Sequence, residues 1–272
     1  MKNLSLYIIL TQLSLASFAQ HTDSGFLAYQ SGLTEKQAGR HKVAYDHLRK
    51  AVMLNPDHTD AQRELGLAAI ELRQYEVSKQ AFLKVLEKEP NDPQAIENLA
   101  TLNFWTRRWD DAIKYGLKMQ ELKIGTRVNY LLGKSYYEKE NFALAFRYLD
   151  AAYKDEPANA EIPFLFARSF VEMSNYRQAV KYYLEAIALD STKVNWIYET
   201  AMAYSSIPDD KTAIKYFELA MAKGHKVDND FIENLSNSYI LAGMPDKGID
   251  FLLKLLDLRP ADMELLNSIA DT

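Results

Sequence analysis

The sequence of 272 residues contains no cysteine, which excludes disulfide bonds as a source of stability. The absence also excludes the lipid anchor of a bacterial lipoprotein, because that anchor is attached to a cysteine thiol. After residue 20, no segment is long and apolar enough to cross a bilayer. The chain is therefore expected to be soluble once any N-terminal targeting segment has been removed.

Glycine and proline are scarce, at ten and eight residues. Both residues interrupt helices and favour tight turns, so their scarcity favours long helices over turn-rich β-structure. With 48% hydrophobic and 25% charged residues, the composition is that of a globular protein. The sequence thus predicts a folded chain that is mainly helical.

Positive charge is not concentrated anywhere in the chain. There is no run of lysine and arginine, the formal net charge is −5 and the isoelectric point is about 5.6. Because neutralisation of phosphates dominates affinity for nucleic acid, an acidic chain without a basic run is not expected to bind it.

The usual catalytic and cofactor motifs are also missing. The histidines are His21, His41, His47, His58 and His225. None of them forms an HExxH sequence or a helical pair suited to zinc, and no GxSxG or phosphate-binding glycine loop is present. The acidic pairs Asp110-Asp111 and Asp209-Asp210 are interpreted as residues that start helices. We therefore expect no catalytic residue, no metal site and no cofactor, and a protein that is not an enzyme.

The first twenty residues, MKNLSLYIILTQLSLASFAQ, differ from the rest of the chain. Lys2 is their only charge, an apolar stretch begins at Leu4, and small residues follow at Ser17 and Ala19. This layout is typical of a secretory signal peptide, predicted over residues 1–19 with cleavage after Ala19. The alternative is a retained membrane anchor, which the polar residues within the apolar stretch disfavour.

A period of about 34 residues runs through the remaining sequence. Four segments end alike on a proline: AYDHLRKAVMLNP, SKQAFLKVLEKEP, ALAFRYLDAAYKDEP and GIDFLLKLLDLRP. The prolines are Pro56, Pro90, Pro157 and Pro260, so their successive separations are 34, 67 and 103 residues. Because these separations are close to one, two and three periods, the chain is predicted to consist of structural repeats.

Small residues recur with this period at two positions that lie 12 residues apart. The first set is Gly32, Gly66, Ala100, Gly133, Ala167, Ala201 and Ser236, and the second is Ala44, Ser78, Ala112, Ala145, Ala179, Ala213 and Gly248. Small side chains allow two antiparallel helices to approach closely, and bulky residues at spacings of three and four fill the space beside them. Each period is thus predicted to be a helix hairpin.

Together these positions resemble the tetratricopeptide repeat (TPR) family. One period carries the full pattern in Leu132, Gly133, Tyr136, Phe142, Ala145, Leu149, Ala152 and Pro157. The resemblance implies an all-α fold, a right-handed α-solenoid of about seven helix hairpins over residues 20–272. The repeats are placed at 25–58, 59–92, 93–125, 126–159, 160–193, 194–228 and 229–262, with a short capping helix at 263–270.

Two local expectations concern packing. Gly116 occupies a position that is usually bulky in this family, and the third repeat ends on Gly125 without a proline, so a looser or bent junction is expected there. Tyr148, on the second helix of the fourth repeat, is expected to be part-exposed.

In this family the first helix of each repeat lines a concave groove that binds a peptide or protein. The groove positions give nine candidate partner-binding residues: Phe104, Trp105, Tyr130, Lys134, Tyr137, Phe164, Arg168, Tyr198 and Asn237. Aromatic residues and arginine are enriched in binding hot spots, so an aromatic and basic centre is predicted. The carboxylate clamp of one subclass is not expected, because Lys134 is followed four residues later by Glu138 instead of asparagine.

The predicted function is a non-enzymatic scaffold for protein–protein interaction that is exported, periplasmic or secreted, with an extracytoplasmic protein or peptide as its partner. The alternative is a module that binds carbohydrate or an envelope polymer, with Trp105, Tyr130 and Tyr137 as stacking platforms. Stable membrane insertion is not expected after removal of the signal segment. Self-association is not favoured, because the apolar side of the last helix is expected to pack inward.

Overall fold

The computed structural model describes residues 24–270, and every regular element in this range is a helix. The predicted signal segment 1–19 lies outside the described residues. Neighbouring helices pack in sequence order as hairpins, which is the all-α, α-solenoid class of fold that the sequence predicts. The chain divides into two compact units, and the boundary falls between Ser135 and Tyr136.

Within the described residues, the first unit holds helices α1 to α6 and the start of α7. They are α1 (24–37), α2 (His41–Leu54), α3 (Thr59–Glu71), α4 (Tyr75–Lys88), α5 (Pro93–Trp105), α6 (Trp109–Leu122) and α7 (Val128–Glu138). From α2 to α6, each helix packs against the next one along the chain. Leu48, Phe82 and Leu99 are fully buried between these helices.

The second unit holds the end of α7 and eight further helices among the described residues. They are α8 (Phe142–Asp155), α9 (Glu161–Glu172), α10 (Tyr176–Leu189), α11 (Val194–Ser205), α12 (Asp210–Ala222), α13 (Asn229–Leu241), α14 (Pro245–Leu258) and α15 (Met263–Ala270). From α8 onward, each helix again packs against its successor. Leu265 of α15 is buried against Ile232, Leu252 and Leu255, whereas Leu266 remains exposed.

Small residues set the spacing between the helices of a hairpin, as the sequence predicts. All fourteen of the recurring Gly, Ala and Ser positions are buried. A Cβ on Gly66 would lie 2.8 Å from Cζ of Phe82, so the Phe82 ring packs directly on the glycine backbone. The hydroxyl of Ser78 donates to the carbonyl of Gly66 at 2.8 Å, which ties the two small positions of this hairpin together.

Short polar side chains define where helices begin. Asp92, Asn141, Asn175, Asp209 and Asp228 each accept a hydrogen bond from the backbone N–H three residues later, which satisfies one of the free donors in the first helical turn. Asp110 and Asp111 lie in the first turn of α6, where the helix dipole favours negative charge. Asp209 and the Asp110-Asp111 pair therefore start helices, as interpreted from the sequence.

The expected looser packing at Gly116 and the expected part-exposure of Tyr148 are wrong, and the alternative of a bent junction stays a prediction. At Gly116 the helices are close and not loosely packed, because a Cβ there would lie 2.8 Å from a methyl of Leu132 and 2.9 Å from a methyl of Leu131. Two leucines thus occupy the space that a side chain at position 116 would fill. Tyr148 is only 7% exposed, because its ring stacks on Tyr136 with ring centroids 5.5 Å apart.

The described helices include none that is long and apolar enough to cross a membrane.

Candidate functional site

A cavity of about 310 Å³ lies between helices α9, α10 and α11 in the second unit, and we call it the Arg168 cavity. It is lined by Arg168, Val171, Glu172, Tyr176, Tyr183, Glu199, Met202, Ala203 and Ser206. The lining residues of α9 and α11 recur at spacings of three and four, which place them on one face of each helix. The first helices of two consecutive hairpins therefore supply most of this surface, and α10 closes it from behind.

The floor of the cavity contains a hydrogen bond between the buried Tyr183 and Glu199, whose side chain is 32% exposed. The hydroxyl of Tyr183, a residue 2% exposed, donates to Oε2 of Glu199 at 2.8 Å. Burial raises the pKa of the Glu199 carboxyl, while the Tyr183 hydrogen bond and the nearby Arg168 charge act in the opposite direction. Burial also raises the pKa of the Tyr183 hydroxyl, so this group stays protonated and remains a donor.

Arg168 lies over this floor and is held by three neighbours. Its Nε is 3.7 Å from Oε2 of Glu199, an ion pair that is too long for a hydrogen bond. Its guanidinium carbon lies 5.9 Å from the ring centroid of Tyr137 and 6.0 Å from that of Phe164, within the range of cation–π attraction. The positive charge is thus balanced by one carboxylate and two aromatic rings, and the side chain is positioned without a ligand.

The two carboxylates of the cavity, Glu199 and Glu172, make fewer contacts with charged or polar partners than their charge allows. Both contacts of Glu199 fall on Oε2, and Oε1 has no hydrogen-bond partner among the described residues. Glu172 makes no hydrogen bond and no ion pair within the described part of the chain. The cavity therefore contains two carboxylates and one guanidinium, and the guanidinium is already paired.

Three of the nine predicted binding residues come together at this cavity. Arg168 lines it, and Tyr137 and Phe164 contact the arginine from two sides. Phe164 also stacks on Trp196 of the next hairpin, with ring centroids 4.4 Å apart. Its ring therefore fills a gap between hairpins as well as supporting Arg168.

Tyr198 and Asn237 lie elsewhere in the second unit. Tyr198 stacks on His225 and Phe231, with centroid distances of 4.5 and 5.6 Å, and its hydroxyl accepts a hydrogen bond from Asn234 at 3.2 Å. This ring is packed between hairpins and does not line the Arg168 cavity. Asn237 is exposed on α13 and lines no part of that cavity either.

The other four predicted residues belong to the first unit. Phe104 lies 6.1 Å from the ring of Tyr130, and Nζ of Lys134 lies 5.9 Å from the Phe104 centroid. Tyr130 is only 6% exposed, so its ring faces are covered by protein. Trp105 is 57% exposed and is the one side chain of the three proposed stacking platforms whose ring is largely open.

Sequence reasoning did not select Glu172, Tyr183 or Glu199 as binding residues. Tyr183 occupies the core, and the role of its hydroxyl is not visible from spacing. Glu199, by contrast, is recognisable as unusual in the sequence, because the same position one and two repeats earlier holds Leu165 and Leu131, which are buried. A carboxylate that replaces a buried leucine at a periodic position indicates either a local ion pair or a site.

A second cavity, of about 300 Å³, lies in the first unit. It is lined by Lys36, His41, Ala44, Leu67, Ala68, Ile70, Glu71 and Asn98. None of the nine predicted residues lines it, and Lys36 is engaged at its edge by Glu64 at 2.6 Å. Across residues 24–270, no group of three or more His, Asp or Glu side chains is arranged to hold a metal ion.

Comparison with known proteins identifies the family. The Tetratricopeptide repeat profiles match residues 36–101 and residues 160–193. The chain carries tetratricopeptide repeats in these two segments. Proteins built from these repeats are scaffolds for protein–protein interaction, and such scaffolds are generally non-enzymatic. The second matched segment contains Arg168 and Tyr183, so the Arg168 cavity is built on a recognised repeat.

Solved structures of other TPR proteins share the fold at low sequence identity. YrrB, described as a TPR protein with an unusual peptide-binding site, is 16% identical with a TM-score of 0.56, over 68% of this chain and 94% of its own. A TPR protein from Parabacteroides merdae is 12% identical with a TM-score of 0.57, over 91% and 98% of the two chains. PilW, described as a type IV pilus biogenesis factor, is 14% identical with a TM-score of 0.55, over 78% and 97%. No curated protein sequence matches the chain.

Proposed function

We propose that this protein is a non-enzymatic scaffold that binds an extended segment of a partner protein across the first helices of its hairpins, with the Arg168 cavity as one anchoring point. The observation that carries the proposal is the arrangement of Arg168, which is held by Glu199, Tyr137 and Phe164 before any ligand arrives. A side chain that is already fixed loses little conformational entropy on binding.

The chemistry of the cavity walls supports a polypeptide as the ligand. Val171, Met202 and Ala203 offer apolar surface, and Arg168 and Glu199 offer a donor and an acceptor beside it. An extended peptide presents the same combination, since apolar stems alternate with backbone N–H and C=O groups. The peptide-binding site of YrrB is a property of that protein, and it supports the proposal by fold alone.

A cavity-filling substitution tests the binding surface. Met202 is half-buried in the wall of the cavity, and Met202→Trp would occupy the space with an indole ring. We expect peptides selected on the wild-type protein from a random library displayed on phage to bind this variant at least about tenfold more weakly, because the anchoring side chain would be displaced. Affinities are measured by fluorescence anisotropy with synthetic copies of the selected peptides.

The matched control is Met221→Trp, which adds the same ring to an exposed position of α12 away from the cavity. It should leave the affinity unchanged. Equal binding of the selected peptides by the Met202→Trp variant, with its helical circular dichroism intact, would contradict the proposed surface.

We further propose that the scaffold acts outside the cytoplasm. The support is the layout of residues 1–19, with a single charge, an apolar stretch and a small residue at Ala19. The absence of cysteine is consistent with this setting, because the chain needs no disulfide bond and carries no thiol that could be oxidised there.

Intact-protein mass spectrometry of cell fractions tests the export. The mature chain should begin at Gln20 and be recovered outside the cytoplasm. Ala19→Glu should block processing, because signal peptidases require a small residue at the cleavage site, and Ala19→Ser should be processed normally. A cytoplasmic protein of full-length mass in the wild type would refute this part of the proposal.

A further inference from the structure

We propose that the Arg168 cavity selects a basic side chain, lysine or arginine, of the bound partner. The inference rests on the proposed function for the identity of the ligand as a polypeptide, and it adds which residue of that polypeptide enters the cavity. Its basis is the balance of charge in the cavity, together with walls that match the shape of a long cationic side chain.

The charges in the cavity leave carboxylate oxygens unbalanced. Glu172 and Glu199 face one guanidinium, and that of Arg168 is shared among Glu199, Tyr137 and Phe164. Oε1 of Glu199 and both oxygens of Glu172 have no hydrogen-bond partner among the described residues. Glu172 is exposed and the Glu199 side chain is 32% exposed, so these carboxylates are open to a second cation, whereas an anion would meet two like charges.

Carboxylates near the cavity also affect the Tyr137 hydroxyl. Burial raises the pKa of the Tyr137 hydroxyl, and the carboxylates of Glu172, Glu138 and Glu199 raise it further, whereas the Arg168 charge lowers it.

The walls suit a flexible apolar stem that carries a charged end. Val171, Met202 and Ala203 form the apolar part of the lining, and Glu172, Glu199 and the Tyr176 hydroxyl group stand among them. Lysine and arginine bury their methylene stems along apolar surface and keep the charged end at polar groups. A volume of about 310 Å³ admits such a side chain, and methionine adapts its shape to the stem.

Methyl NMR on the full chain tests the selectivity of the cavity without the partner. With ¹³C-labelled Met and Ala methyl groups, Met202 and Ala203 report on the cavity, and exposed Met221 is the internal reference. The probes are Nα-acetyl-lysine amide, the isosteric neutral Nα-acetyl-norleucine amide and Nα-acetyl-glutamate amide. We expect saturable shifts of Met202 and Ala203 with the lysine probe only.

The paired variant Glu172→Gln/Glu199→Gln should weaken binding of the lysine probe roughly tenfold, because it keeps the shape of the cavity and removes both carboxylate charges. Glu97→Gln, an exposed glutamate on α5, makes a similar substitution outside the cavity and should have no effect.

Every other pattern of shifts overturns the inference. Equal shifts with the norleucine probe would mean that the cavity recognises apolar stems alone, and shifts with the glutamate probe would mean that Arg168 selects an acid. No shift with any probe would mean that the cavity takes no side chain of this size. Loss of peptide binding by the Met202→Trp variant, without selectivity for lysine, would preserve the proposed function and refute only this refinement.

Discussion

At the scale of single residues, Glu199 is the side chain whose properties depend most on its surroundings. It sits where two earlier repeats carry buried leucines, and its carboxylate is stabilised by one hydroxyl and one ion pair. Such a residue contributes little to stability at neutral pH, because burial opposes its charged form. Its structural role is to accept the hydrogen bond of the buried Tyr183 hydroxyl, and a role in ligand recognition stays a prediction.

The raised pKa of Glu199 predicts a pH-dependent stability difference. Its value in the folded protein lies above the ordinary 4.5, so the folded state binds more protons than the unfolded state in this window. The contribution of this carboxyl to the free energy of unfolding is complete below pH 4.5 and is lost as pH rises through the raised pKa. The free energy of wild type minus that of Glu199→Gln should thus fall with rising pH and then level off, as measured by urea denaturation.

Glu35 provides a control of opposite sign. A hydrogen bond from Arg40 lowers the pKa of the Glu35 carboxyl below its ordinary value. Its contribution is present above pH 4.5 and is lost as pH falls through the lowered pKa, so the difference between wild type and Glu35→Gln should grow with rising pH. Parallel curves for the two variants would contradict the assigned environment of Glu199.

At the scale of helices, a similar ionic cluster occurs twice, with the arginine and the glutamate exchanged and the aspartate kept. In the first unit, Arg63 of α3 binds Glu89 at 2.8 Å and Asp92 at 3.0 Å. In the second unit, Glu233 of α13 pairs with Arg259, which also binds Asp262 at 3.2 Å. In both clusters the second and third residues follow the first by 26 and 29 positions. The geometry of the repeat therefore fixes the three positions, but not which of the first two holds the arginine.

The aspartate of each cluster also caps the start of a helix, so the energies of its cap and of its ion pair can be measured separately. Asp92 accepts a hydrogen bond from the N–H of Ala95 at 2.7 Å and so begins α5, while its other oxygen binds Arg63. Asp92→Ala should lower the free energy of unfolding by about 1–2 kcal/mol through loss of the helix cap. Asp92→Asn keeps a good cap and should cost only about 0.5 kcal/mol, the value of a partly exposed ion pair.

Urea titrations of these variants at several NaCl concentrations distinguish the ion pair from the helix cap. Added NaCl should reduce the difference between wild type and Asp92→Asn, because screening weakens the ion pair with Arg63. It should leave the difference between Asp92→Asn and Asp92→Ala unchanged, because the cap is a local hydrogen bond. An equal loss in both variants would show that the cap contributes nothing.

At the scale of the whole molecule, the all-α fold and the hairpin architecture were predictable from sequence. The small residues identify the close contacts between helices, and all fourteen are buried. The error at Gly116 has a physical reason, since a missing side chain can be filled from the neighbouring helix as readily as it can leave a gap. Repeat periodicity identifies which positions face each other, and it does not identify how side chains fill the space.

The candidate site was less predictable than the fold. Arg168, Tyr137 and Phe164 are three of the nine predicted residues and lie next to one another, and their binding of a partner stays a prediction. Periodicity alone does not reveal that Glu199 compensates Arg168, since that pairing depends on side-chain conformations across two helices.

The paired small residues have a consequence for how this chain tolerates changes in length. Within every hairpin the two small positions are 12 residues apart, whereas the interval from the second of them to the next hairpin is 21 at Ala112–Gly133, 22 at Ala145–Ala167 and 23 at Ala213–Ser236. The variation in repeat length therefore falls after the second small position and not between the two. A residue added inside a hairpin would rotate one small position by about 100° away from its partner, whereas one added between hairpins only lengthens a connection.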